Sequence, residues 1–198
     1  MNNYSGTKPE AFIKRILKGW LYYLMGFVMN LWLVTVMMAM ASDFLIVKFF
    51  LGIAALVVID GLFFNYAYNA AKRDRELIKF HGMKRDKAMS LKLALLVPIF
   101  GYIMYILLFM VKLGVFDGTI LGQNGFNYYI LLNLHTLPWI AMITDGRTLE
   151  YLTWGGMFGL LLIQLTEPAA IVLTYELTMR EVDVKEILFY GKKKTGHK

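Results

Sequence analysis

Four stretches of this chain stay apolar for longer than a buried helix of a soluble protein requires. They run from about Gly19 to Ser42, Phe44 to Ala70, Leu91 to Leu113 and Leu152 to Tyr175. A helix needs roughly 20 such residues to cross the hydrocarbon core of a bilayer. Inside that core each backbone amide and carbonyl must find its partner within the protein, so the stretches are expected to be helices. The expected fold class is therefore all-α: a polytopic helical membrane protein with a single transmembrane domain over residues 19–176. Of the 198 residues, 58% are hydrophobic and only 18% charged, and the sequence contains no cysteine. Thiolate metal sites, iron–sulfur clusters and disulfides are thereby excluded.

A fifth stretch, "FNYYILLNLHTLPWIAMIT" (126–144), is apolar but carries Asn127, Asn133, His135 and Pro138. Its polarity suits a re-entrant or interfacial segment better than a full crossing. The distribution of charge favours the same reading. The arm 1–18 carries Lys8, Lys14, Arg15 and Lys18 against Glu10, and the loop 72–92 holds eight Lys and Arg against three acids. The tail 177–198 ends in "GKKKTGHK", whereas the connection 114–125 has Asp117 and no cation. Lys and Arg concentrate on the cytoplasmic side, which places both termini and the 72–92 loop there. Four crossings plus one non-crossing segment meet that condition; five full spans are the alternative and would put the basic tail outside. The net charge of +7 flanks apolar blocks, a pattern that serves membrane topology rather than nucleic acid. A plasma membrane of prokaryotic type is the expected location. The lipid bilayer, with anionic headgroups at the basic segments, and other membrane subunits are the expected partners.

The segment "EAFIKRILKGW" (10–20) has helical spacing, with Phe12, Ile13, Ile16 and Leu17 on one face and Lys14, Arg15 and Lys18 mostly opposite. It reads either as an amphipathic arm on anionic headgroups or as the start of the first span. Lys48, near the outer end of the second block, is expected to snorkel to the surface.

Asp60 stands in "ALVVIDGLFF" (55–64), deep inside the second block, and Glu167 lies at a similar depth in the fourth. A charge at the bilayer centre costs about 2.5–3.5 kcal/mol on insertion scales. Two acids at one depth point to a candidate proton or cation site, with Asn30, Gln164 and, if its segment dips inward, His135 as further ligands. Pro98 and Pro168 each remove a backbone donor and free a carbonyl nearby. The competing reading is interhelical glue, with a neutral Asp60 bonded to Asn30. Gly155 and Gly159 have the G-x-x-x-G spacing of a close helix-packing face. The tryptophans and tyrosines near the span ends read as an interfacial belt.

No HExxH, GxSxG, P-loop or dinucleotide motif occurs, and the three histidines are scattered. The sequence thus predicts a non-enzymatic protein without a cofactor. The first functional expectation is an integral subunit or accessory of a larger membrane assembly. The alternative is a proton- or cation-coupled transporter or small channel using the midplane carboxylates.

Overall fold

A computed structural model describes residues 10–40, 44–117, 119–144 and 151–180, apart from the side chains at 37–40 and 123. Among these residues there is no strand. The helices are α1 (Phe12–Met40), α2 (Leu45–His81), α3 (Met89–Leu96), α4 (Ile99–Lys112), α5 (Ile120–Leu132), α6 (Leu137–Thr144), α7 (Trp154–Gln164) and α8 (Thr166–Met179), with a 3₁₀ turn (Leu134–Thr136) between α5 and α6. α1, α2 and the α7–α8 unit are each long and apolar enough to cross a membrane, and α3–α4, bent by 54°, makes a fourth such element if counted as one broken span.

Local chemistry sets the boundaries. α2 runs past its apolar stretch into the basic segment and stops at Gly82, which takes the left-handed conformation (φ 64°) that glycine adopts without a Cβ penalty. Thr153 caps α7, its hydroxyl accepting from the Gly156 amide at 3.1 Å. Pro98 separates α3 from α4 because it has no amide to offer the Ala94 carbonyl one turn earlier. The Tyr102 hydroxyl donates to that carbonyl instead, at 2.9 Å. Trp20 donates its indole N–H to the Leu96 carbonyl at the same break, at 3.0 Å. Where α5 ends, the Tyr23 hydroxyl donates to the Leu132 carbonyl at 2.9 Å. Aromatic donors thus serve the interrupted helices from within the protein.

The path of the fifth stretch follows from its neighbours. α5 begins before the apolar segment, inside the connection that the sequence reads as a loop, and returns along α4, with Tyr129 edge-on to Tyr105. The chain turns at Asn133–Thr136, where the 3₁₀ segment packs on α1 and α2. α6 then leads back towards the start of α2: Trp139 lies so close to Gly52 that a Cβ there would come within 2.6 Å of its ring. The proline at 138 sits in the first turn of α6, a position it tolerates.

Two apolar clusters divide the interior. One joins Ile59, Phe63 and Ala67 of α2 to Leu93, Val97, Ile171 and Tyr175. The other joins Leu108, Tyr129, Ile140, Met157 and Leu160. On α4 and on α7–α8 the residues between the clusters, Gly101, Gln164 and Glu167, form a polar layer.

The basic end is tied together by buried charge. Arg15 is turned inward, and its guanidinium grips both oxygens of Asp74 at 2.6 Å each. The Tyr175 hydroxyl donates to the same carboxylate at 2.5 Å, and the Tyr66 hydroxyl donates to the Arg15 carbonyl at 2.9 Å. Glu176 of α8 accepts from Arg85 at 2.6 Å and from Ser90 at 2.8 Å. Glu10 holds Lys18 at 2.6 Å and Arg73 at 3.2 Å. Burial works to raise the Glu10 pKa, but the Lys18 hydrogen bond and the charges of Lys18, Arg73 and Arg15 outweigh it and hold the carboxyl below its ordinary 4.5.

Two expectations change here. Arg15 does not belong with Lys14 and Lys18 as a membrane-surface residue, because a bidentate partner in α2 satisfies it inside the bundle. Lys48 is also buried rather than extended to the surface, at 8% exposure. Removing one partner of a buried pair strands the other, at about 3–5 kcal/mol. Arg15→Met should therefore lower the thermal midpoint of the purified protein in detergent sharply. The double variant Arg15→Met/Asp74→Leu should recover much of the loss. Equal losses in the single and double variants would show that the pair is not what holds α1 to α2.

Candidate functional site

The polar layer is built from three interrupted elements. Gly101 comes from the start of α4, just past the Pro98 break. Asn133 and His135 come from the turn between α5 and α6, and Gln164 and Glu167 from the junction of α7 and α8. Glu167 and Asn133 are fully buried, Gln164 is 1% exposed and His135 3%. The Gln164 amide donates to Glu167 Oε2 at 3.2 Å, and His135 Nε2 stands 3.4 Å from Glu167 Oε1.

Gly101 makes room for this arrangement. A Cβ on it would lie 2.3 Å from Gln164 Nε2 and 3.1 Å from Asn133 Oδ1. The two amides therefore meet over bare backbone, where any larger residue would push them aside. On the other side of His135, Asn30 and Tyr23 join it around a cavity of about 10 Å³, room for roughly one water.

The amides share one pattern. Asn30 Nδ2 donates to the Ala55 carbonyl at 3.4 Å, Asn133 Nδ2 to the Tyr129 carbonyl at 3.2 Å, and Gln164 Nε2 to Glu167. Each NH₂ has an acceptor for one of its two N–H groups, and the orientation of the amide is assigned from that bond. Each amide oxygen is left without a hydrogen-bond partner, as is Glu167 Oε1. An unsatisfied buried polar group costs about 1–3 kcal/mol, so several together in one layer are not expected of a merely structural core. All four are oxygens that supply electron pairs. His135 Nε2, beside Glu167, also has no hydrogen-bond partner, nor has the Tyr129 hydroxyl, and the unpaired indole N–H of Trp139 lies apart, against Gly52.

The candidates from sequence are thus sorted. Glu167, Gln164 and His135 come together, and Asn30 faces His135 across the cavity. Asp60 is not bonded to Asn30. Its partner is Thr166, the residue before Glu167, whose hydroxyl lies 3.2 Å from Asp60 Oδ1. It lines a groove on the outer surface of α2 and α8. Gly155 and Gly159 do not form a packing face within the chain: nothing approaches a Cβ at Gly159, and Gly155 meets only the Thr153 hydroxyl at 3.8 Å. The close approach is at Gly156, where a Cβ would come within 2.7 Å of Ile143 of α6. Gly101 was missed because a glycine carries no chemistry in a sequence. Asn133 stood out as polar within its segment, but its meeting with Gln164 depends on a turn that periodicity does not reveal.

Among the described residues no group of three or more His, Asp or Glu side chains is placed to hold a metal ion. The layer instead offers one carboxylate, amide oxygens and an imidazole. Oxygen ligands of this kind suit a hard cation or a proton rather than a transition metal. Comparison of the chain with protein-family models, with curated proteins and with solved structures finds no match.

Glu167→Gln retains an acceptor for Gln164 and should leave the thermal midpoint nearly unchanged. Glu167→Leu orphans the Gln164 amide and should cost about 1–3 kcal/mol. Melting curves followed by tryptophan fluorescence check this; equal stability of the two variants would remove Glu167 from the hydrogen-bonded layer.

Proposed function

We propose that the protein is a carrier that moves a small monovalent cation or a proton across the membrane, bound at Glu167. The observation that carries the reading is the orientation of the three buried amides. Each ties down its nitrogen and leaves its oxygen open, in a layer that holds one buried carboxylate. The Glu167 carboxyl and those open oxygens, beside His135 Nε2, which also has no partner, can hold a cation or a proton. His135, next to Glu167, can exchange a proton with it, which makes proton and cation binding alternatives at one site. Interrupted helices that meet at mid-depth are a recurrent way to build such sites. Burial of the whole layer favours a carrier over a permanently open channel, whose ligands would stay wet.

The arrangement in the bilayer forms part of the proposal. Four elements cross: α1, α2, bent α3–α4, and α7–α8. The α5–α6 unit enters from one side, turns near mid-depth and leaves by the same side, in keeping with Tyr129 beside Tyr105 and Trp139 over Gly52. The Arg15–Asp74–Tyr175 end faces the cytoplasm of a plasma membrane, because the Lys and Arg lie there. Reporters fused at the C-terminus and in the 72–92 loop should both read cytoplasmic, and one near Gly122 external. An external C-terminus would replace this topology with five crossings.

Function is tested by flux. Purified protein in vesicles should release an imposed sodium or proton gradient faster than empty vesicles. Glu167→Gln should reduce that rate at least about tenfold, since the carboxylate supplies the only charge in the layer. Gly101→Val, which crowds Gln164 and Asn133, should slow it as well. Flux that survives Glu167→Gln intact would refute the site. The reading as a subunit of a larger membrane assembly rests on a different observation, the groove at Asp60.

A further inference from the structure

Asp60 lies midway along the apolar part of α2, yet it does not share the enclosed layer of Glu167. It lines an open groove of about 550 Å³ between α2 and α8. The walls are mostly apolar, with Thr174 of α8 and Trp139 of α6 among them, and Ile53 and Val57 on α2 and Leu173 and Leu177 on α8 form exposed rims. Gly61 adjoins Asp60, and a Cβ there would meet nothing within 4 Å, so another backbone can approach closely.

The hydrogen bonds of Asp60 are incomplete. Its partner is the Thr166 hydroxyl, which has a single proton and two acceptors in reach: Asp60 Oδ1 at 3.2 Å and the Ile163 carbonyl at 2.9 Å. One proton cannot serve both. In the lone chain both are served when Asp60 itself carries a proton and donates to Thr166, while Thr166 donates to Ile163. Its second oxygen then still faces the groove at hydrocarbon depth with nothing to bond.

We infer that this groove seats a transmembrane helix of another protein that brings a basic side chain, a lysine or an arginine, to the depth of Asp60. Three features select that occupant. The groove follows about three turns of α2, from Ile53 to Phe64, which matches one face of a packed helix. A lipid acyl chain would fill the apolar walls but offer Asp60 no donor. A second copy of this chain packed groove to groove would set carboxyl against carboxyl between rims of Ile53, Val57, Leu173 and Leu177, which carry no donor either. A basic residue takes the place of the proton on Asp60 and supplies the missing donors, and in hydrocarbon the two charges stay paired. The groove lies outside the enclosed Glu167 layer but adjoins it through Thr166, so a carrier of this kind would work in company with its helical partner.

The test uses the full chain, labelled with a donor fluorophore, in phosphatidylcholine vesicles. Acceptor-labelled transmembrane peptides of leucine are added, one with a single central lysine and one without. We expect energy transfer to show association at least about tenfold tighter for the lysine peptide. Asp60→Asn keeps a side-chain oxygen for Thr166 and should abolish that preference with the fold intact by circular dichroism. Asp60→Glu should retain part of it. Equal binding of both peptides, or a lysine preference that survives Asp60→Asn, would overturn the inference. So would self-association of the unmixed protein that disappears in Asp60→Asn, which would assign the groove to a second copy.

Discussion

In hydrocarbon a helix can be broken only where the protein itself supplies partners for the freed backbone groups. That constraint shapes this chain. The break at Pro98 is served by Tyr102 and Trp20, and the end of α5 by Tyr23. Once those carbonyls are satisfied, the chain can turn inside the bundle and direct side chains inward that a continuous helix would hold elsewhere. His135 reaches Glu167 because α5 stops at Leu132, and Gln164 and Asn133 converge because Gly101 presents bare backbone beside the Pro98 break. Loss of any of the aromatic donors would disturb the polar layer without touching it directly.

The basic end has the opposite character. There the charges are paired, and they hold α1, α2, α3 and α8 to one another through Asp74 and Glu176. The opposite end carries no comparable lattice among the described residues; α4, α5 and α7 meet there through apolar and aromatic contacts such as Phe109 with Trp154. A polar layer between a charge-locked end and an apolar end has an asymmetric surround. Opening the apolar end requires separating side chains that hold one another weakly one by one, whereas opening the basic end requires breaking the Arg15–Asp74–Tyr175 unit. In the carrier reading this unit is the tighter of the two gates.

Much of the helical architecture was legible in the sequence because the length of an apolar block is a strong signal. The four long apolar blocks return as α1, α2, the bent α3–α4 pair and α7–α8. The neighbour of Glu167 one turn away, Gln164, and the polar character of the His135 segment could also be read. Rotation about a helix axis could not. In a helix that is apolar on every side, no polar face marks which way a residue points, so Asp60 and Glu167 looked equivalent although one is enclosed and the other lines an external groove. Tyr23 and Trp20 passed for an interfacial belt because their partners are carbonyls, which leave no trace in composition. The tyrosine four residues after Pro98 was a usable sign, since that spacing returns a hydroxyl to the carbonyl the proline leaves free. Arg15 was misplaced for a related reason: an arginine near a span end is ordinarily at the surface, and only the bidentate geometry with Asp74 reveals a buried one.

The central claim is that the Glu167 carboxyl changes state when a cation or proton binds in the polar layer. Infrared difference spectroscopy of the protein in lipid films, recorded while sodium is exchanged for an inert large cation and while pH is stepped, observes that carboxyl directly. The account predicts a carboxyl band that responds to both exchanges, disappears in Glu167→Gln and persists in Asp60→Asn. A band that survives Glu167→Gln, or a spectrum that is silent to both sodium and pH, would contradict it.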